Sequence, residues 1–159
     1  MNLEKKYIEG TNKMKTLILF YSRSGNTRAL AMKKSKKLGA DIEEIFDVKK
    51  PSVISAIFRA QMRKRTEILP IKSNLEEYDK IILMSPVWSA HPVPAMNTVI
   101  ERLPANKKIE VIMVSAGSGT RKSDEETKKL IAERGCEVIE YTDLKTMMKN
   151  NKLVVQKIR

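Results

Sequence analysis

Apolar runs of strand length alternate with segments of helical period along this chain. The run TLILFY, from Thr16 to Tyr21, is apolar on both faces, as a central strand of a parallel sheet is. Because strands separated by helices pair in parallel through right-handed crossovers, the alternation predicts an open α/β sandwich, not a helical bundle or a β-sandwich. The other strands are expected in DIEEIF, KIILMS, IEVIMVS and CEVIEYTDL, which begin at Asp41, Lys80, Ile109 and Cys136. Five such units are too few for an eight-stranded barrel.

The segments between these runs carry the signals of helices. We expect helices at residues 27–38, 52–62, 94–103 and 123–135, with serine N-caps at the second and fourth and glycine terminators at the first and fourth. A short last helix is expected in NNKLVVQKIR, and a loop is expected at residues 85–94.

The composition sets limits on the kind of protein. A chain of 159 residues with 42% hydrophobic side chains suits one compact domain, so we expect a flexible extension at residues 1–14 and a single domain at 15–159. The single cysteine and the single histidine leave no internal disulfide and no Cys and His cluster, so no metal site is expected. No run is long enough to span a membrane, and a cytoplasmic location is expected.

The formal net charge of +12 is the unusual feature of the composition. Such a charge is typical of proteins that bind nucleic acid, an anionic membrane surface or an acidic protein. The basic runs KKSKK, FRAQMRKR and KNNKLVVQKIR are not interleaved with stacking aromatic side chains, which argues against nucleic acid. We therefore expect redox partners or other partners with acidic docking surfaces, and the sequence leaves monomer and homodimer both open.

The stretch SRSGNT, directly after the first strand, has the composition of an anion site. A helix N-terminus offers backbone N–H groups and a partial positive charge, Gly25 allows a tight turn, and Ser22, Ser24 and Thr27 add hydroxyl donors. The alternative is a serine-rich turn that only caps the helix. Three hydroxyl side chains around one glycine favour a phosphate.

Two more loops follow strands at the same edge of the predicted sheet, SPVWSAHPVP and SAGSGTRKS. Ligands of open parallel sheets bind at that edge. A Walker loop is excluded because Arg121 stands where a glycine is required, and the dinucleotide fingerprint lacks its third glycine. A phosphatase with a nucleophilic cysteine is excluded because SRSGNT contains none.

The motifs LILFYSRSGNT and YDKIILMSPVWSAHPVPAM resemble the first and third strands, with their loops, of the flavodoxin family and its short bacterial and archaeal members. The resemblance covers residues 15–144 and implies a flavodoxin-like, doubly wound, three-layer sheet of five parallel strands in the order 2-1-3-4-5, with FMN as cofactor. It assigns the FMN phosphate to Ser22, Arg23, Ser24, Gly25, Asn26 and Thr27, the isoalloxazine to Pro86, Val87, Trp88, Ser89 and Ala90, and the pyrimidine edge to Ser115, Ala116, Gly117, Ser118 and Gly119.

This assignment implies an FMN-binding electron-transfer protein without a catalytic acid or base. An NAD(P)H-dependent quinone or flavin reductase that uses the same FMN site is the alternative, and a flavin-free basic binding module is the second alternative. The chain departs from the family pattern in its basic charge and in the absence of an aromatic side chain from the SAGSG loop. The predicted closing helix is also shorter than the family's, which would leave one face of the sheet less covered.

Overall fold

The computed structural model describes residues 13–50, 52–62, 64–117, 119–121 and 123–159, without the side chains of residues 56 and 61. Most of the expected N-terminal extension, residues 1–12, lies outside the described residues. The strands are β1 (Thr16–Phe20), β2 (Asp41–Glu44), β3 (Lys80–Trp88), β4 (His91–Pro92), β5 (Lys108–Ser115), β6 (Glu137–Lys149) and β7 (Lys152–Lys157). The helices are α1 (Asn26–Leu38), α2 (Val53–Gln61), α3 (Pro94–Glu101) and α4 (Asp124–Glu133), with a 3₁₀ turn at Leu75–Glu77.

The sheet confirms the predicted doubly wound topology. Its strand order is β2-β1-β3-β5-β6-β7, and every neighbouring pair from β2 to β6 is parallel. The five parallel strands therefore stand in the order 2-1-3-4-5 that the resemblance implied. Two short antiparallel additions complete the sheet, since β4 pairs with β3 and β7 pairs with β6.

Helices cover both faces of the sheet, because alternate strand residues point to opposite sides. On one face, Leu17, Leu83 and Val111 pack with Met96 of α3 and Ile131 of α4. On the other, Ile18, Met84 and Ile112 pack against Ala31 of α1. Helix α2 contacts α3 and β3 and so lies on the side opposite α1.

The expected last helix is wrong, because residues 152–157 form strand β7 instead. Asn150 and Asn151 have φ angles of 48° and 58°, as a two-residue hairpin turn with positive φ at both positions requires. Asparagine tolerates this conformation, and the β-branched Val154 and Val155 suit a strand. On the face of the sheet that carries α1, Leu144 of β6 is therefore only half-buried, since no closing helix packs there among the described residues.

The expected loop at residues 85–94 is also corrected. Strand β3 continues to Trp88, turns at Ser89 and Ala90, and returns as β4, with Trp88 opposite His91.

Ser52 caps α2 as expected, since its side chain accepts a hydrogen bond from the Ser55 amide. In the part of the chain that is described, no helix has the length and apolarity to cross a membrane.

Candidate functional site

Three chain segments lie at the carboxyl edge of the sheet because their strands are neighbours there. Strands β1, β3 and β5 are adjacent, and each runs in the same direction. We call the segments that follow them the phosphate loop (residues 22–27), the tryptophan hairpin (residues 86–92) and the third loop (residues 115–121). The sheet therefore brings together all the described residues that the sequence assigned to a cofactor site.

The phosphate loop ends in the N-terminus of α1. Gly25 has a φ of 94°, a left-handed conformation that favours glycine, and a Cβ atom at this position would have no atom within 4 Å. The Ser22 hydroxyl oxygen accepts hydrogen bonds from the amides of Gly25 (3.1 Å) and Arg28 (3.3 Å). The amides of Gly25 and Arg28 thus point toward the Ser22 hydroxyl oxygen at the N-terminus of α1, and the space beside Gly25 is open. This arrangement fits a phosphate group.

The other assigned residues of the phosphate loop differ in exposure. Thr27 is buried, Ser22 and Asn26 are half-buried, and Arg23 and Ser24 are exposed. Arg28 follows the loop, but its guanidinium group binds both carboxylate oxygens of Glu44 at 2.9 and 2.5 Å. Arg28 therefore neutralises the end of β2, whereas Arg23 is the cation of the loop itself.

The tryptophan hairpin contacts the phosphate loop through Trp88. The Trp88 ring meets the ring of Tyr21 edge to face, with centroids 6.0 Å apart, and the Arg23 guanidinium lies 5.7 Å from the Trp88 centroid. The indole is half-buried, as are Pro86 and Val87, and the turn residues Ser89 and Ala90 are exposed. A flat, half-exposed side chain next to the phosphate loop fits the stacking role that the resemblance gives to Trp88.

The turn of this hairpin is held in an unusual backbone conformation. Ser89 and Ala90 have φ angles of 50° and 63°, which side chains with a Cβ seldom adopt. The Ser123 hydroxyl donates to the Ala90 carbonyl, and Nδ1 of His91 lies 2.6 Å from the Ser89 carbonyl oxygen. These contacts fix the turn against the segment that leads into α4.

The third loop is small and open on its outer side. Ser115 is buried at the end of β5, Ala116 and Gly117 are exposed, and Ser118 lies outside the described residues. Gly119 has a φ of 73°, and a Cβ atom there would come within 2.8 Å of the Asp143 carboxylate carbon. Glycine is therefore required at residue 119 for the backbone to pass over Asp143.

A buried polar cluster supports the third loop from β6, and sequence reasoning missed it. The hydroxyl group of Thr120 donates to Asp143 Oδ1 at 2.8 Å and lies 2.8 Å from the Tyr141 hydroxyl. Arg159 binds the other carboxylate oxygen of Asp143 at 2.7 Å and reaches Asp124 at 3.1 Å. The one signal in the sequence is an aspartate near the end of an expected strand, where a buried carboxylate needs a partner.

Burial raises the pKa of the Tyr141 phenol to about 12, although its hydrogen bond to Thr120 opposes the shift. The phenol is therefore protonated at neutral pH and keeps its hydrogen bond within the cluster. Burial and a hydrogen bond to Asp47 (2.8 Å) likewise raise the pKa of Tyr21, which precedes the phosphate loop. Neither group is poised to exchange a proton near neutral pH.

A cavity of about 310 Å³ lies beside the phosphate loop on the β2 side. Its lining combines cationic, aromatic and apolar side chains, namely Tyr21, Ser22, Arg23, Arg28, Ile45, Phe46, Asp47 and Lys50.

Cys136 lies elsewhere, buried at the amino end of β6 with its thiol toward the Pro104 carbonyl. Among the described residues, no group of three His, Cys, Asp or Glu side chains is placed to hold a metal ion.

Known proteins that resemble this chain share its fold. The family model of the NADPH-dependent FMN reductases matches residues 14–146. A flavoprotein solved in complex with FMN from Lactobacillus acidophilus is 24% identical, with 82% of this chain and 93% of that chain covered and a TM-score of 0.70. A flavoprotein from Bacteroides eggerthii is 23% identical over 82% and 87% of the two chains, with a TM-score of 0.69.

The two-electron-reduced flavodoxin of Megasphaera elsdenii is 20% identical over 80% and 84% of the two chains, with a TM-score of 0.50. No curated protein sequence matches the chain. These structural likenesses show the fold, and the family model covers most of the domain. The chain therefore belongs to the NADPH-dependent FMN reductase family, whose fold is flavodoxin-like and whose cofactor is FMN.

Proposed function

We propose that the protein holds FMN across the phosphate loop, the tryptophan hairpin and the third loop, and transfers electrons through it. The observation that carries the proposal is the contact between the first two of these segments. The Arg23 guanidinium lies 5.7 Å from the centroid of the Trp88 ring, which supports a site where the proposed phosphate-binding loop and the proposed stacking side chain adjoin. FMN, when bound, supplies one-electron and two-electron chemistry.

The chain's own residues would bind and orient the cofactor. The α1 N-terminus and the hydroxyl groups of Ser22 and Thr27 would bind the phosphate, and Trp88 would stack on the ring system. The backbone N–H groups of the third loop would face the pyrimidine edge, where hydrogen bonds tune the reduction potential. The cluster of Thr120, Asp143 and Arg159 would keep that loop in position.

A reductase that accepts hydride from NADPH is the second candidate, and a specific observation favours it. Ala116 and Gly117 are small and exposed, so these two residues leave their part of the third loop uncovered. A nicotinamide ring needs such an open face in order to stack on a flavin. The family membership supports the same candidate.

Cofactor binding is tested first. When apo-protein is titrated with FMN, the fluorescence of the bound flavin should be quenched up to one FMN per chain. The purified holoprotein should release FMN on denaturation. Trp88→Ala should weaken binding and reduce the quenching, whereas the distant substitution Tyr78→Phe should change neither. No binding of FMN by the folded wild-type chain would contradict the proposal and leave the flavin-free basic module.

Steady-state oxidation of NADPH, with a quinone or free FMN as acceptor, separates the two redox candidates. Turnover well above that of free FMN alone would identify a reductase. Holoprotein that is reduced by dithionite and reoxidised by protein partners, but not reduced by NADPH, would identify an electron carrier.

We also propose a cytoplasmic location and redox partners with acidic docking surfaces. The net charge of +12 supports the acidic partners, because long-range attraction speeds the encounter of oppositely charged proteins. Electron transfer to an acidic partner should then slow as ionic strength rises, whereas salt-independent rates would contradict the docking model.

A further inference from the structure

Helix α2 presents an apolar face to solvent. Val53, Ile54, Ile57, Phe58 and Met62 are all exposed, and the exposed fractions of Ile54 and Phe58 reach 84% and 58%. Positions 54, 58 and 62 recur every four residues, and position 57 lies one turn from 54, so these side chains form one continuous strip. Ala60, at the Val53 edge of the strip, is fully buried and anchors the helix to the rest of the fold. We call this strip the α2 face.

Cationic side chains surround the α2 face. Lys49 and Lys50 precede the helix, Arg59 lies on its flank, and Lys64 and Arg65 follow it, all exposed. The Lys64 ammonium group lies 5.9 Å from the centroid of the Phe58 ring, and Arg65 pairs with Glu101. Among the described residues, no ion pair involves Lys49, Lys50 or Arg59. Their charges are available to an anionic surface.

We propose that the α2 face docks on an anionic lipid bilayer. Apolar side chains that project from a helix and are flanked by lysine and arginine are suited to the interface, where the apolar groups enter the acyl boundary and the cations meet lipid phosphates. The charge of the whole chain, +12, adds attraction to the same surface. The binding is peripheral and does not depend on the redox proposal.

A second copy of the chain fits the α2 face less well. In a two-fold symmetric contact the same surface meets itself, so Lys49, Lys50 and Arg59 would approach their own copies. The nine residues of α2 span about 13 Å, and a stable protein interface buries on the order of 800 Å² on each partner. The strip also projects outward, whereas a protein partner would have to supply a matching apolar groove.

The test is flotation of the whole 159-residue chain with vesicles of pure phosphatidylcholine and of phosphatidylcholine with 30% phosphatidylglycerol. We expect binding to the anionic vesicles only, weakened by added salt. Phe58→Asp should lower the partition coefficient at least tenfold. Met148→Asp is the matched control, because Met148 is also exposed and apolar but lies on β6, and the substitution makes the same change in charge. This control should lower the partition coefficient less than threefold.

A second pair of variants tests the cations. Lys49→Glu with Lys50→Glu should abolish flotation, whereas Lys33→Glu with Lys37→Glu, the same charge change on α1 across the sheet, should retain most of it. Circular dichroism verifies that each variant is folded. Absence of wild-type binding to anionic vesicles, or equal losses within either pair, would overturn the proposal. A dimer that Phe58→Asp dissociates without lipid would assign the face to a second copy.

Discussion

Arg159 Nη2 lies 2.7 Å from Asp143 Oδ2, and the other carboxylate oxygen of Asp143 accepts the hydrogen bond of Thr120 in the third loop. The arginine thus neutralises the buried carboxylate that positions the loop. The backbone adds to the tie, because the Asp143 amide donates to the Arg159 carbonyl at 3.1 Å.

Arg159→Ala should therefore weaken FMN binding through the position of the third loop. It leaves the Asp143 carboxylate buried without its cation, and we expect FMN affinity to fall about threefold to thirtyfold with a smaller effect on the fold. Fluorescence titration measures the affinity. Lys157→Ala, which removes only an exposed pair with Glu140 at 3.7 Å, is the control and should change little. Equal affinities for the Arg159 variant and wild type would contradict a positioning role.

Thr27→Val tests the phosphate loop. The buried hydroxyl group is replaced by a methyl group of similar size, so the packing is kept and a donor to the phosphate is lost. A hydrogen bond to a charged group contributes about 1.5 to 3 kcal/mol, so we expect FMN affinity to fall roughly tenfold to a hundredfold. Thr16→Val at the opposite end of the sheet is the control. If riboflavin, which lacks the phosphate, loses as much affinity as FMN, the hydroxyl does not act on the phosphate.

Glu110 predicts a pH dependence of stability. Its carboxylate is buried on β5, where it binds Lys34 at 2.8 Å and Lys80 at 2.5 Å. Burial alone would raise the pKa of Glu110, but the hydrogen bonds and charges of the two lysines outweigh burial and lower the pKa below its ordinary value of 4.5. The carboxylate therefore stabilises the fold at pH values above about 4.5, and this contribution is lost as the pH falls through the lowered pKa.

Glu110→Gln should accordingly lower the free energy of unfolding by about 1 to 3 kcal/mol at pH 7. The difference from wild type should shrink as the pH falls below the ordinary pKa of a glutamate. Urea unfolding at several pH values measures it. Glu76→Gln, which removes an exposed carboxylate 3.7 Å from the Lys107 ammonium group, should cost less than about 0.5 kcal/mol at every pH. A difference for Glu110→Gln that is the same at pH 3 and pH 7 would contradict the ion-pair account.

Ala90→Gly should stabilise the apo-protein. Ala90 has a φ of 63°, and a left-handed conformation costs a residue with a Cβ about 1 kcal/mol or more, part of which is offset by the greater freedom of glycine in the unfolded chain. We expect a gain of about 0.5 kcal/mol in the free energy of unfolding. Ala105→Gly, at a residue outside the left-handed region, should instead be destabilising. If Ala90→Gly and Ala105→Gly lower the free energy of unfolding by similar amounts, the turn at Ala90 is unstrained.

The sequence predicts the parallel core and the turn of the phosphate loop well, because local patterns specify both. TLILFY and KIILMS are too apolar for anything but buried strands, and SRSGNT carries its own turn and cap signals. The predicted closing helix is wrong because two asparagines between β-forming residues also suit a hairpin turn, and Asn150 and Asn151 form such a turn.

The support of the third loop could not be derived from local patterns. Asp143 finds its partners at positions 120 and 159, on separate elements that only the folded sheet brings together. Glu110 is a similar case, since Lys34 and Lys80 come from α1 and β3. A lone acidic residue in a strand pattern indicates that a partner exists, but its identity depends on strand register.

The hairpin of β6 and β7 is made last, so the contact that holds the third loop depends on the end of translation. The phosphate loop begins at residue 22, and the arginine that fixes the third loop is residue 159. At translation rates of about 5 to 20 residues per second, the two are made roughly 7 to 30 seconds apart. The contact of Arg159 with Asp143 can therefore form only after residue 159 has left the ribosome, long after the phosphate loop has been made.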